Sequence, residues 1–372
     1  MRIKDIAIFN PKGNKPEEYI NYIDTSSVED GKLHEVQTLS REIPSRAQRL
    51  IALNDILISS VRPNLRHNYF VNKEIPHGIA STGFIQIRVI SSNVNPQFLY
   101  YFLTSEQKVL HYQTIAETSQ STFPSFNKDV IEGLDFPNVT LDDQQHIVDI
   151  LGSIDETIEN NEYLIQKIEE KVLLEYDRIN SIEPLSEIVM SDCFDITIGK
   201  TPPRNESHWF TKNSTDVKWL SIFDLGKSSV FCFDTSERIT PEGISKYNVK
   251  VVPKNTVVLS FKLTVGKVAI TGCDMATNEA IAHFNSSNHC LLEYLYCYLK
   301  RYNFDTLGNT SSIATAVNSK TIKAMHFFIP DDTVLENFHH KTLPLFENIR
   351  QLLIENQKLN ELKQLYLKKF FG

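Results

Sequence analysis

The sequence predicts an α+β protein written twice: two globular domains separated by two long helices that form an antiparallel coiled coil, the halves related by a pseudo-twofold. Three observations predict it. A buried strand, a polar loop, a short strand closing on proline and a long helical run occur in that order in both halves. Both helical runs carry heptad spacing, and each holds one asparagine at the matching repeat position. The 372 residues, 41% hydrophobic and 23% charged, suffice for two or three cores and contain no low-complexity tract.

The first domain is expected over residues 1–143. Asn54-Asp55-Ile56-Leu57-Ile58-Ser59 is an apolar run led by turn residues, which reads as a buried strand. It runs into Ser59-Ser60-Val61-Arg62-Pro63-Asn64-Leu65-Arg66, a turn carrying Arg62, Asn64 and Arg66. Arginine and asparagine supply the paired donors and acceptors that read guanine and adenine edges. Arg41, Arg46 and Arg49 precede the strand and are placed to grip phosphate. A polar loop, Thr118-Ser119-Gln120-Ser121-Thr122, leads to Asn127 and Ile131, and the strand before the helix closes on Phe136-Pro137.

The first helix is expected over residues 144–183, ended by Pro184. Ile147, Leu151, Ile154, Ile158, Asn161, Ile165, Ile168 and Val172 follow a 4-3-4-3 spacing, the heptad seam of a coiled coil. From Ile147 to about Ile179 the helical pattern makes a rod of roughly 50 Å, which corresponds to roughly 12–15 base pairs of DNA, so the helix is expected to act as a ruler.

The second domain, residues 184–333, repeats the plan at an offset of roughly 190–200 residues. Asn255-Thr256-Val257-Val258-Leu259-Ser260 matches the first strand, and Lys262, Thr264 and Lys267 occupy the turn that follows. Lys200, Thr201 and Arg204 flank a Thr-Pro-Pro turn. Trp209 and Trp219 are expected in the core rather than stacked on bases. The polar loop Asn309-Thr310-Ser311-Ser312, then Asn318 and Ile322, then Ile329-Pro330, complete the copy.

The second helix is expected over residues 334–372, with Leu345, Ile349, Leu352, Asn356, Leu359, Leu362, Tyr366 and Phe370 on its seam. Ile154, Ile158, Asn161, Ile349, Asn356 and Leu359 are the packing residues singled out. Asn161 and Asn356 either sit exposed beside the seam or lie buried in it, where they would set register at some expense of stability.

Charge refines this picture. The net −8 divides into −3 for residues 1–143, −7 for 144–183, 0 for 184–333 and +2 for 334–372. The excess acid sits on one helix, which favours pairing with the basic second helix and leaves the two domains near neutral. Local fields govern a DNA surface more than totals do. Five scattered cysteines without a Cys-x-x-Cys pair point to a reducing cytoplasm and away from disulfides and structural zinc. The charged start Met1-Arg2-Ile3-Lys4-Asp5 does not read as a signal peptide, and no run is long enough to span a bilayer.

No catalytic constellation is expected. There is no Asn/Asp-Pro-Pro-aromatic loop and no Gly-rich cofactor turn. Gly199-Lys200-Thr201 imitates a phosphate-binding loop, but Phe194 stands where its first glycine belongs and Pro202-Pro203 oppose the geometry. Pro330-Asp331 with Glu361-Leu362-Lys363 mimics a nuclease pattern, yet the Glu and Lys lie on the heptad helix. His339-His340 is adjacent rather than four apart, so the pair cannot present two ligands on one helix face. Neither a metal nor a cofactor is expected.

With these residues in place, the chain resembles the DNA-specificity (S) subunits of type I restriction–modification systems. Gly199-Lys200-Thr201-Pro202, Trp209, Trp219-Leu220-Ser221-Ile222 and Asp224-Leu225 look like that family's opening pattern. Thr264-Val265-Gly266-Lys267-Val268-Ala269-Ile270 and Thr277-Asn278-Glu279-Ala280 resemble its later strands. In the first half, Ile58-Ser59-Ser60-Val61-Arg62-Pro63, Ser81-Thr82-Gly83-Phe84 and Phe136-Pro137 through Gln144-Gln145-His146-Ile147-Val148 do the same. The first half lacks the Gly-x-Thr-Pro opening, and the second helix junction lacks the usual glutamine.

The resemblance implies two target-recognition domains reading the halves of a split, asymmetric site on double-stranded DNA. It implies methyltransferase subunits, two of them, docking on a non-catalytic chain, and an endonuclease/translocase subunit joining for cleavage. The DNA-binding residues expected are Arg46, Arg49, Arg62, Asn64, Arg66, Gln120, Lys200, Thr201, Arg204, Lys262, Thr264, Lys267 and Asn278. Two other readings compete. A self-contained DNA methyltransferase or nuclease would transfer methyl groups or cut DNA alone. A coiled-coil adaptor would not need two copies of a loop-bearing domain.

Overall fold

The structure, a computed structural model, describes all residues except 14, 15, 17, 119–123 and 308–317. It divides into two compact units: Met1–Ile158 with Lys358–Gly372, and Glu159–Gln357.

In the first unit the run after Asn54 forms the strand Ile56–Ser59, buried at every position. Asn54 enters it at φ +68°, a left-handed turn that asparagine tolerates better than most residues. The strand lies inside an antiparallel sheet ordered Ala7–Phe9, Phe84–Val89, Ile56–Ser59, Asn68–Phe70. A second sheet is ordered Gln37–Leu39, Ile20–Ile23, Gly78–Ser81, Ala47–Leu50, with its central pair parallel. Asp55 is fully buried beside the first strand. Arg88 holds it through Nε and Nη2, each 2.7 Å from a carboxylate oxygen, and Gln86 Nε2 donates at 2.7 Å. A carboxylate out of water requires such partners. Helix Pro96–Thr104, opened by the Asn95 cap with proline in its first turn, brings Phe98 and Leu99 into the core of Ile56, Ile58, Ile85 and Ile87.

The second unit repeats this topology. Asn255 enters Val257–Ser260 at φ +64°. The sheet is ordered Asp195–Ile198, Ile281–Asn285, Val257–Ser260, Val268–Thr271, Phe231–Cys232, so each of the first unit's four strands has a counterpart and one strand is added. The other sheet runs Phe210–Thr211, Glu237–Ile239, Val217–Leu220, Met275–Thr277, Val251–Val252, and its Val217–Leu220/Met275–Thr277 pair is again parallel. Helix Leu291–Arg301 takes the place of Pro96–Thr104 and buries Tyr294, Leu295 and Tyr298. Trp219 is a core residue, 1% exposed, as expected. Trp209 is half-buried, with its Nε1 donating to Glu206 at 2.8 Å.

The long helices span Leu141–Ile182 and Asp332–Phe371, and each contributes residues to both units. Within each unit the two stretches run antiparallel. In the first, Lys363 Nζ meets Asp155 at 2.6 Å, while Leu151 and Leu367 share a core. In the second, Asn161 pairs with Asn356 and Glu175 with Lys341, so partners ascend on one helix as they descend on the other. Both ion pairs set an acid of the first helix against a lysine of the second, the complementarity that the segment charges suggest.

One expectation is corrected. Leu362, placed on the second seam, is 41% exposed, and Leu367 and Phe371 are buried where Tyr366 and Phe370 are only half-buried. A straight helix of 3.6 residues per turn drifts against a strict heptad by about 20° per repeat. Burial therefore recurs at five-turn intervals, as in Phe338/Asn356 and Ile349/Leu367, and the inward face slips by one residue near the end. No helix among the described residues is long and apolar enough to cross a membrane.

Candidate nucleic-acid interface

In the first unit the turn after the buried strand is held by its backbone. Arg62 and Arg66 flank the 3-10 turn Pro63–Leu65, both in the left-handed region at φ +49° and +51°. Arg62 N donates to Pro124 O at 2.9 Å, and Asn64 N to Gln113 Oε1 at 3.2 Å. Ser59 N closes the loop on His67 O at 2.9 Å while its hydroxyl donates to Val61 O at 3.0 Å. The side chains of Arg62 and Asn64 are exposed on this fixed turn. Arg66 is half-buried and donates to Thr104 O at 3.3 Å.

Arg46 joins this group through the Ser81–Phe84 turn. Its carbonyl accepts from Thr82 N at 2.8 Å, and its Nη2 lies 3.8 Å from where a Cβ on Gly83 would stand. Gly83 O in turn accepts from Ser60 N at 3.0 Å. Arg49, on edge strand Ala47–Leu50, stands apart. Its Nε is buried without a hydrogen-bond partner, and burial lowers its pKa, so that edge of the guanidinium faces the protein. Gln120 lies outside the described residues.

The second unit builds the equivalent turn with the equivalent serine. Ser260 N donates to Lys267 O at 2.9 Å, its hydroxyl donates to Thr264 O, and Lys267 N donates back to that hydroxyl at 3.0 Å. Lys262, Leu263, Thr264 and Lys267 are exposed on it, with Leu263 at φ +63° and Gly266 at φ +89°. Phe261 N bonds Ala280 O at 2.9 Å, which puts this turn beside Asn278.

A second cluster forms around Asn278. Its Nδ2 donates to Thr201 Oγ1 at 3.2 Å, its Oδ1 accepts from Ala280 N at 2.8 Å, and Thr201 also bonds Glu279. Lys200 N reaches Thr277 O at 2.9 Å. This crossing explains Gly199, where an added Cβ would stand 2.1 Å from Thr277 Oγ1 and 2.2 Å from Asn278 O. The glycine serves chain crossing, not phosphate binding. Arg204 is spoken for: two bonds to Glu237, at 3.0 and 2.9 Å, and stacking 3.8 Å from the Phe210 ring centre and 4.6 Å from that of Trp219.

Below the Asn278 cluster lies a histidine that the sequence reading did not single out. His283 is fully buried, with Nδ1 3.0 Å from Thr197 Oγ1 and Nε2 2.6 Å from Thr277 Oγ1. Burial pulls its pKa down to about 4, so the ring is neutral and ties strand Asp195–Ile198 of its own sheet to strand Met275–Thr277 of the other. Ser59 and Ser260 also escaped notice as loop clasps, although both end the repeated strand motif.

Among the helix residues, Ile154, Ile158 and Ile349 are buried and Leu359 is half-buried. Asn161 and Asn356, 6% and 7% exposed, face each other, with Nδ2 of Asn161 donating to Oδ1 of Asn356 at 2.8 Å and to Glu355 at 3.0 Å.

The profile of the type I restriction modification DNA specificity domain matches residues 1–170 and 186–364. Among similar proteins, the type I restriction enzyme HindI specificity subunit of Haemophilus influenzae is 24% identical, covering 93% of this chain and 92% of that one. The MjaIX specificity subunit of Methanocaldococcus jannaschii is 23% identical over 74% of this chain and 67% of its own. The solved S subunit of a type I restriction-modification system from M. genitalium matches the fold with a TM-score of 0.54 at 14% identity, covering 100% of this chain and 95% of that one.

Proposed function

The chain belongs to the type I restriction–modification DNA-specificity family, and from that premise we propose how it divides the work of reading DNA. It is a non-catalytic specificity subunit whose units each read one half of a split, asymmetric site. The recognition domains are residues 1–143 and 184–333, and the helices of 144–183 and 334–372 space them. Arg46, Arg62, Asn64 and Arg66 serve the first half-site, with Gln120 and Arg49 in support. Lys200, Thr201, Lys262, Thr264, Lys267 and Asn278 serve the second, while Arg204 braces the Thr-Pro-Pro turn against Glu237. Two methyltransferase subunits dock, one per unit, and an endonuclease/translocase subunit joins them. All five cysteines are free thiols, in keeping with work in a reducing cytoplasm.

The observation that carries this reading is the doubled loop. In both units a buried strand ends in a serine that clasps a cation-bearing turn, Arg62–Arg66 in one and Lys262–Lys267 in the other. Folding alone does not call for two such turns with exposed cations. Selection of preferred DNA sites by the reconstituted complex tests it. Arg62→Ala should relax the first half-site by about 1–3 kcal/mol, and Lys262→Ala or Lys267→Ala only the second. Equal loss at both half-sites from either substitution would overturn the two-reader assignment.

A further inference from the structure

The sequence holds no local metal motif, yet the second unit assembles three ligand types from distant positions. His289 and Cys290 end the loop after strand Ile281–Asn285, with Cys290 at the cap of helix Leu291–Arg301. His339 lies on the long helix Asp332–Phe371. One ligand atom from each of these residues lies within 4.8 Å of the others. The two imidazole rings meet edge to face, with centroids 5.4 Å apart.

A second observation stands behind the first. Glu293 is fully buried, and its Oε2 lies 2.7 Å from His339 Nδ1. Its other oxygen, Oε1, is buried without a hydrogen-bond partner. A carboxylate seated on one ring nitrogen fixes the imidazole and leaves Nε2 as the donor atom, the usual support behind a ligating histidine. A buried carboxylate also needs compensating positive charge nearby. A His339–Glu293 pair alone would account for those two residues, but not for a thiol and a second imidazole gathered at its outer edge.

We propose that His289, Cys290 and His339 form a binding site for a divalent transition metal of the zinc class, with Glu293 orienting His339. One thiolate and two imidazoles are the borderline-soft set that zinc prefers. Bonds of about 2.0–2.3 Å to a tetrahedral ion place ligand atoms roughly 3.3–3.8 Å apart. From separations within 4.8 Å the three atoms must close by up to about 1.5 Å to reach that geometry, and His289, exposed on its loop, has the freedom to do so. Water takes the fourth corner, reached through the adjoining 280 Å³ cleft that His289, Asn285 and Asn288 help to line. The ion would tie the start of helix Leu291–Arg301 to the long helix, fixing recognition domain to spacer within this unit.

The test titrates the full-length, chelator-treated protein with cobalt(II) and follows absorption. One equivalent should be taken up, with thiolate-to-cobalt charge transfer and intense tetrahedral d–d bands that zinc abolishes. Cys290→Ser should remove the charge-transfer band, and His289→Ala should weaken binding at least tenfold. Cys273→Ser should change neither. Circular dichroism checks that each variant is folded. Absence of the bands in the parent protein, or their survival in Cys290→Ser, would overturn the assignment.

Discussion

Replacing Asn161 with leucine tests the helix pairing at its most specific point. Asn161 is 6% exposed and donates at 2.8 Å to an Asn356 oxygen that is itself shielded. Removing one member of a buried hydrogen-bonded pair costs about 1–3 kcal/mol, because the other loses that bond in a place shielded from water. Asn161→Leu and Asn356→Leu should therefore each lower local stability by about that much. The double substitution removes both amides and buries apolar surface instead, so it should lie within about 1 kcal/mol of the parent, against about 2–6 kcal/mol if the two single losses simply added. Amide hydrogen exchange on both sides of residues 161 and 356 reports the local opening free energy directly. The Leu–Leu protein should also accept a wider range of gaps between half-sites, since a polar pair in an apolar seam fixes register. Additive single losses in the double variant, within about 0.5 kcal/mol, would refute the claim that the two amides act as a pair.

Three further outcomes are expected. His283 takes up a proton only near pH 4 when folded, against 6.5 for the ordinary group, so the unfolded chain binds more protons in between. The stabilisation is complete above about pH 6.5 and falls by about 3 kcal/mol as pH drops toward 4; His283→Gln should flatten that slope in urea melts across the window, and an unchanged slope would exclude His283 as its source. Adding one heptad in register to both long helices lengthens them by about 10 Å, so selection from a random-spacer library should return a gap about three base pairs longer with unchanged half-sites. The purified chain should transfer no methyl group from S-adenosylmethionine to DNA and should confer sequence-specific transfer on partner methyltransferase subunits; radiolabel incorporated by the chain alone would contradict its non-catalytic role.

The doubled plan was legible because it is carried by local patterns. Asn54 and Asn255 head apolar runs of strand length, and Ile147 to Val172 keep helical spacing, so turn chemistry and periodicity suffice to find them. Other features depend on partners far along the chain. Asp55 looks like a turn residue until Arg88 closes on it, and Arg204 looks available to DNA until Glu237, Phe210 and Trp219 occupy it. Gly199 mimicked a phosphate loop because a glycine demanded by a chain crossing and one demanded by a phosphate are the same letter. The seam near Leu362 was misjudged because a strict heptad was extended over several turns of a straighter helix. His339-His340 and the scattered cysteines were set aside on spacing, a test that sees only ligands close in sequence and so could not bring His289, Cys290 and His339 together. Gln120 lies outside the described residues.

The make-up of the first unit has a consequence for how the protein comes into being. Its core includes Leu367 and Phe371, and the Phe371 ring packs against Phe98 at 5.4 Å and Phe102 at 5.9 Å. These residues are translated after the whole of Glu159–Gln357, which is continuous in sequence and holds its own core. A growing chain can therefore close its second unit before its first, the reverse of the usual order in which domains leave the ribosome. Until residues 358–372 arrive, Phe98 keeps Phe136 at 5.8 Å, but both it and Phe102 lack the Phe371 ring. The first unit is complete only once residues 358–372 have returned to Met1–Ile158.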